Sequence, residues 1–174
     1  MEAFLDPNKI LDQLDLKKDM IASEFGCGPG GWVIPLAKRL EEGKVFALDI
    51  QPEKLSALET RVVVENVFNV ETKLCDLEKP KGSSLPDSFL DLVLIPNVLF
   101  QIEKKDVIIG EAKRVLKSGG KILIVDWLIE AKLGPKTGKV SKKEVKEIAK
   151  GLGLKLKKTF EAGIYHYGLI FEKS

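Results

Sequence analysis

The residues with the clearest chemical potential form one run, Glu24-Phe25-Gly26-Cys27-Gly28-Pro29-Gly30-Gly31, set between an apolar stretch and a helical pattern. Glycines allow a tight turn and let a ligand approach the backbone closely. Gly26, Gly28 and Gly31 satisfy the spacing of dinucleotide loops, so spacing alone leaves a nicotinamide or flavin nucleotide and S-adenosyl-L-methionine all open. The surrounding acids separate them. Glu24 would repel a pyrophosphate, whereas a carboxylate there favours the sulfonium and ammonium groups of S-adenosylmethionine. Asp49, closing the next apolar run, can accept hydrogen bonds from both ribose hydroxyls. In Cys75-Asp76-Leu77 the acid can accept from the adenine amino group while Leu77 packs on the ring. Any one of these acids could simply end a strand or start a turn. Three at successive strand ends point to a site, because open α/β sheets bind ligands outside those ends.

The scaffold that must place them reads as short apolar runs alternating with amphipathic stretches, the pattern of a largely parallel sheet covered by helices. Strands are expected at 20–25, 44–49, 70–75, 90–95 and 121–127, with helices near 31–42 and 104–116. Pro52 suits the first turn of another helix, carrying Leu55, Leu58 and Val62 inward. Residues 131–140 read as a loop, and Ser141-Lys142-Lys143-Glu144 as a capping box opening a helix with Val145, Ile148, Ala149 and Leu152 on its buried stripe. Segments 154–160 and 164–171 look like a terminal hairpin. The expected fold class is α/β, a Rossmann-like three-layer sandwich whose mostly parallel sheet of about seven strands ends in an antiparallel β-hairpin.

With 174 residues, 44% apolar and 31% charged, the chain suits a single globular domain spanning 1–174. Its start lacks the basic flank and apolar run of a signal peptide, and no apolar stretch reaches the roughly 18 residues of a membrane-spanning helix. A cytoplasmic protein without a membrane partner is expected. Two cysteines and one histidine supply too few soft ligands for a zinc site, so no metal and no disulfide are expected. The net charge of +2 is uneven: between Lys132 and Lys158 ten lysines face two acids. This reads either as a solvated surface or as a patch for an anionic partner.

The chain resembles the Rossmann-like (class I) S-adenosylmethionine-dependent methyltransferases, especially the small-molecule branch similar to the quinone-biosynthesis C-methyltransferases. The resemblance rests on E-F-G-C-G-P-G-G at 24–31, A-L-D-I-Q-P at 47–52, C-D-L at 75–77, D-L-V-L-I-P-N-V-L at 91–99 and R-V-L-K-S-G-G-K-I-L-I-V-D-W at 114–127, covering nearly the whole chain. It implies, in order, a loop for the methionine moiety, a ribose acid, an adenine site, a floor beneath the reactive methyl, and a core strand entered through a glycine turn. The cofactor-binding residues it implies are Glu24, Gly26, Cys27, Gly28, Asp49, Ile50, Asp76, Leu77 and Asn97. Glu24 is a departure, because the family often has Asp there.

After the fourth strand the chain reads Ile95-Pro96-Asn97-Val98-Leu99, unlike the Asn/Asp-Pro-Pro-Tyr/Phe that resembles exocyclic amine methylation. Neither the paired-glutamate loop of arginine methyltransferases nor an acid cluster resembling a catechol methyltransferase magnesium site is present. A small-molecule acceptor, methylated by in-line displacement, is the expectation. Positioning supplies much of the rate in such a reaction, so a strong base need not be visible. His166, the sole histidine, is the outside candidate for a base, set against a structural or surface role; strand alternation places it opposite Tyr165 and Tyr167. Asp126 and Trp127 either face substrate or, for Trp127, pack. Cys27 and Cys75 read as packing residues. Only 131–140 is long enough to serve as a lid, and so bare a core suits a compact metabolite, closure by a second subunit in a homodimer, or docking on a macromolecule. The alternatives are an RNA or protein methyltransferase docking its substrate on 132–158, a nicotinamide-dependent oxidoreductase, and a binding module without catalysis.

Overall fold

Seven strands, β1 (Ile21–Phe25), β2 (Lys44–Asp49), β3 (Val70–Leu74), β4 (Leu90–Pro96), β5 (Leu116–Trp127), β6 (Leu154–Ala162) and β7 (His166–Lys173), build one sheet in the computed structural model, which describes residues 4–174. The order is β3-β2-β1-β4-β5-β7-β6. Strands β1 to β5 are mutually parallel, and β7 runs antiparallel to both β5 and β6. The chain moves outward from β1 to β3 and then returns to place β4 on the other side of β1, which creates a topological switch point between β1 and β4.

Strands β1, β2 and β4 are almost wholly buried, which explains their continuous apolar runs. Helices cover both faces. On one side lie α1 (Pro7–Leu11), α2 (Val33–Arg39) and α3 (Pro52–Val64), where Leu11, Leu36 and Leu58 pack with Val45, Ala47, Leu94 and Leu123. On the other lie α4 (Lys105–Val115) and α5 (Lys142–Gly151), where Ile108, Ala112 and Val145 pack with Phe25, Leu48, Ile95 and Leu169. The result is the Rossmann-like α/β three-layer sandwich with an antiparallel end.

Local chemistry accounts for the element ends. Pro52 occupies the first turn of α3. The Glu144 N–H donates to Ser141 Oγ at 3.1 Å, capping α5, whose Val145 and Ala149 are buried. Two expectations shift. Helix α2 covers only Val33–Arg39 because Leu40 leaves helical geometry and Gly43 then passes under Met20 too closely for any side chain. Strand β5 begins at Leu116 instead of 121: Leu90 pairs with Leu116 and Leu92 with Lys121, so the intervening glycines form a bulge within the strand rather than a turn before it. The short α1, capped by Asp6 through the Asn8 N–H, and a 3-10 turn at Leu99–Gln101 have no counterpart in the sequence expectations. Among the described residues no helix is long and apolar enough to cross a membrane.

Candidate functional site

The C-terminal ends of β1, β2, β3 and β4 open onto a cavity of about 670 Å³ at the switch point, within the rough 300–1,000 Å³ range of small-molecule sites. Glu24, Gly26, Cys27, Gly28, Asp49, Ile50, Asp76, Leu77 and Asn97 all line it. Residues from four strand ends and the glycine loop thus converge on one space.

The loop is held in place by β2. The Gly26 and Cys27 N–H groups both donate to Leu48 O, at 2.8 and 2.9 Å. Gly28 N–H donates to Asp49 Oδ2 at 2.9 Å, and Gln51 N–H to Asp49 Oδ1 at 2.9 Å. Asp49 therefore organises the loop as well as bordering the cavity, and each of its oxygens keeps a lone pair for a further donor. Gly26 has φ +75°, and a Cβ there would lie 2.6 Å from Val98 Cγ2, so glycine is required both conformationally and sterically. Asp76 Oδ1 accepts from the Glu78 N–H at 3.0 Å, closing the turn after β3. Leu77 is buried beneath it and Ile50 is exposed at the rim.

Glu24 is fully enclosed, and its Oε2 has no hydrogen-bond partner among the described residues. Burial holds its carboxyl well above the usual range; the nearby Asp49 charge adds to this, and the Val33 N–H partly offsets it. Asn97, at φ +53°, donates its N–H to Val125 O at 2.7 Å while its side-chain Oδ1 is buried without a partner. The site thus contains two buried acceptors with nothing to accept from. Cys27 and Cys75 are pushed up by burial, Cys75 to about 11, so neither is a thiolate near neutral pH.

His166 and Asp126 stand outside the cavity lining. His166 is buried, with its ring centroid 4.1 Å from that of Trp127 and 5.7 Å from that of Phe4, and neither ring nitrogen has a partner among the described residues. Burial lowers its pKa to about 4, so the ring is neutral near pH 7. The face assignment holds for Tyr167, which joins the α4–α5 core while His166 lies among Trp127 and Phe4, but not for Tyr165, which precedes β7 in a turn and meets the same Phe4 ring at 5.2 Å. Asp126 is buried too. Its carboxylate accepts the Leu99 N–H at 2.9 Å and the Trp127 N–H at 2.8 Å, pinning the 3-10 turn rather than facing a ligand. No residue of 131–140 lines the cavity; Gly134 instead presses on the Trp127 ring.

Trp32, Lys54, Glu78, Gln101 and Ile102 also line the space and were not among the expected residues. Lys54 and Glu78 follow the acids at two strand ends by a few positions, a signal available in the sequence. Gln101 and Ile102 follow β4 through a 3-10 turn too short to leave a periodic pattern.

A switch-point cavity with a glycine loop, strand-end acids and unpartnered buried acceptors defines a nucleoside-binding α/β protein suited to a ligand that donates hydrogen bonds and carries positive charge. Residues 16–163 match the family model described as a methyltransferase domain. The chain belongs to this family, the S-adenosylmethionine-dependent methyltransferases. It is 33% identical over 101 residues to a ubiquinone/menaquinone biosynthesis C-methyltransferase of Paraburkholderia phymatum, covering 58% of this chain and 40% of that protein. It is 30% identical over 110 residues to a tRNA N(3)-cytidine methyltransferase of Gallus gallus, covering 60% of this chain and 29% of that one. The chain thus spans less than half the length of these curated relatives. A SAM-dependent methyltransferase from Aquifex aeolicus superposes with a TM-score of 0.89 at 28% identity, covering 98% of this chain and 91% of that structure.

Proposed function

We propose that this chain transfers a methyl group from S-adenosyl-L-methionine to a small-molecule acceptor by in-line displacement. The observation that carries the reading is the pair of buried, unpartnered acceptors, Glu24 Oε2 and Asn97 Oδ1, in the cavity that also holds the glycine loop. An ammonium group supplies the donors they lack, and its charge favours the ionised form of Glu24. Asp49 keeps the loop in register and offers its remaining lone pairs to ribose hydroxyls. Ile50 and Leu77 provide apolar surface for a purine, with Asp76 an acceptor for its amino group. When bound, the cofactor supplies an electrophilic methyl on a sulfonium. The protein's part is then to hold the two reactants in line.

The next residues along the same rim are Trp127, ending β5, and His166, beginning β7, which pair with each other. With Phe4 and Tyr165 they form an aromatic cluster whose ring centroids lie 4.1 to 5.7 Å apart in the contacting pairs. None of these rings lines the cavity, so we assign the acceptor side instead to the lining residues Trp32, Gln101 and Ile102. The second reading, an RNA or protein acceptor, draws on α5: Lys142, Lys143, Lys146 and Lys150 have no ion-pair partner among the described residues. That helix contributes nothing to the cavity lining, which is why the small-molecule reading is preferred.

Calorimetric titration with S-adenosylhomocysteine and with NAD tests the cofactor; binding of NAD alone would overturn the proposal. Transfer of labelled methyl groups into fractionated cell extract tests the acceptor. Label is expected in the small-molecule fraction, whereas label confined to RNA or protein would replace this reading with the second.

A further inference from the structure

The two edges of the sheet are defended differently. At one edge β6 carries Lys155, Lys157 and Lys158 and a register shift between Leu156 and Lys158, features that discourage further strand pairing. At the other edge β3 has no register shift and a single lysine, Lys73, balanced by Glu71. Val45 N–H donates to Asn69 O at 2.8 Å and Cys75 N–H to Asp49 O at 3.0 Å, so residues 69, 71, 73 and 75 turn their backbone groups toward β2. In a strand the alternate residues Val70, Thr72 and Leu74 then direct theirs outward. Exposed apolar side chains gather beside them: Val63 at 69%, Val64 at 73%, Phe68 at 84% and Leu74 at 61%.

The β3 sequence Val70-Glu71-Thr72-Lys73-Leu74 is complementary to itself when reversed. We propose that β3 pairs antiparallel with β3 of a second copy of this chain about a two-fold axis at Thr72, extending the sheet across both copies. The hydrogen-bonding phase agrees. Thr72 would face its mate and Val70 would face Leu74 in pairs that exchange both backbone bonds, using all the outward groups. Glu71 would face Lys73 in the intervening pairs, where side chains approach most closely. Lys73 has no ion-pair partner among the described residues, whereas Glu71 reaches Lys44 of its own chain and has an oxygen to spare.

The helices fit the same axis. Thr72 Oγ1 donates to Glu59 Oε1 at 2.6 Å, which shows that α3 lies on the face bearing Val70, Thr72 and Leu74. α3 packs over both β2 and β3, so with strands about 4.8 Å apart the two α3 helices would lie about 10 Å apart, near the usual helix-packing distance. Val63 lies one turn beyond Glu59 on that flank. The one like-charge approach is Glu59 to its mate, and each carboxylate there is engaged by the Thr72 hydroxyl of its own chain. A two-fold contact of this kind is isologous and closed, so it yields a dimer and not a fibre.

Sedimentation equilibrium of the full chain across a range of concentrations tests this, with S-adenosylhomocysteine binding and circular dichroism reporting the fold. A monomer–dimer equilibrium is expected. Glu71→Lys puts lysine opposite lysine twice and should weaken association on the order of tenfold. The Glu71→Lys/Lys73→Glu double variant exchanges the signs and should restore it. Thr72→Pro removes the outward N–H at the axis without touching the β2 ladder, and decides the matter if Glu71→Lys does not fold. A monomer throughout, a dimer indifferent to Glu71→Lys and Thr72→Pro, or failure of the double variant to recover would each overturn the proposal.

Discussion

Replacing His166 with Phe should alter the pH dependence of stability in a way that a catalytic base would not. His166 is buried, and loss of hydration lowers its pKa from 6.5 to about 4. Between those values the unfolded chain binds more protons than the folded one, so the stability associated with neutral His166 is complete above pH 6.5 and lost as pH falls to about 4. At about 1.4 kcal/mol per pH unit, that window is worth about 3 kcal/mol. Asp126 works in the opposite sense. Burial raises it from 3.8 to about 6 against the pull of its backbone donors, so its contribution is complete below pH 3.8 and lost as pH rises to about 6. That window is also worth about 3 kcal/mol, and the two nearly offset each other in the native protein. Each single variant should unmask the other. In denaturant unfolding from pH 4 to 7.5, the stability of His166→Phe relative to the native chain should rise by about 3 kcal/mol as pH falls from 7 to 4. Asp126→Asn should gain on the native chain as pH rises from 4 to 6. A difference for His166→Phe that is flat or of the opposite sign would refute the buried neutral imidazole and restore His166 as a base.

Two further outcomes concern the cavity. Because burial and Asp49 hold Glu24 above the usual carboxylate range, a bound ammonium should drive its proton off. Calorimetry at pH 7 in buffers of different ionisation heat should read release of up to about one proton per S-adenosylhomocysteine, absent in Glu24→Gln; equal release by both proteins would remove Glu24 from the account. Gly26→Ala places a Cβ 2.6 Å from Val98 at φ +75°. It should lower stability by about 1–3 kcal/mol and weaken cofactor binding, and an unchanged denaturation midpoint would count against the required glycine.

Much of the site was legible because its parts are local. Strand β2 ends at Asp49 as its apolar run does, and the loop between β1 and α2 announces itself by glycines that must adopt positive φ. The unread parts depend on contacts distant in sequence. Nothing around Asp126 foretells that its carboxylate will hold the Leu99 N–H, because that bond exists only once β4 and β5 are paired. Gly119 and Gly120 carry a turn signal, yet pairing with β4 on either side, at Leu116 and Lys121, keeps the segment in the sheet as a bulge. The pKa of Glu24 is a property of its burial and of Asp49, which its position in a motif does not reveal.

The unpartnered groups argue for the kind of ligand more sharply than glycine spacing does. Among the described residues, the side chains with buried polar atoms lacking a partner are Glu24, Asn97 and His166. Each such atom costs about 1–3 kcal/mol in a closed site, and two of the three side chains border the same cavity. Asn97 Oδ1 can only accept, and an ionised Glu24 can only accept. A pyrophosphate presents oxygens and negative charge, so it would leave both unsatisfied and repel the carboxylate. An ammonium has only donors to offer such acceptors, and its charge is attracted by an ionised carboxylate. On the function proposed above, the glycine loop that tolerates either ligand by shape is helped to discriminate between them by residues at the ends of β1 and β4.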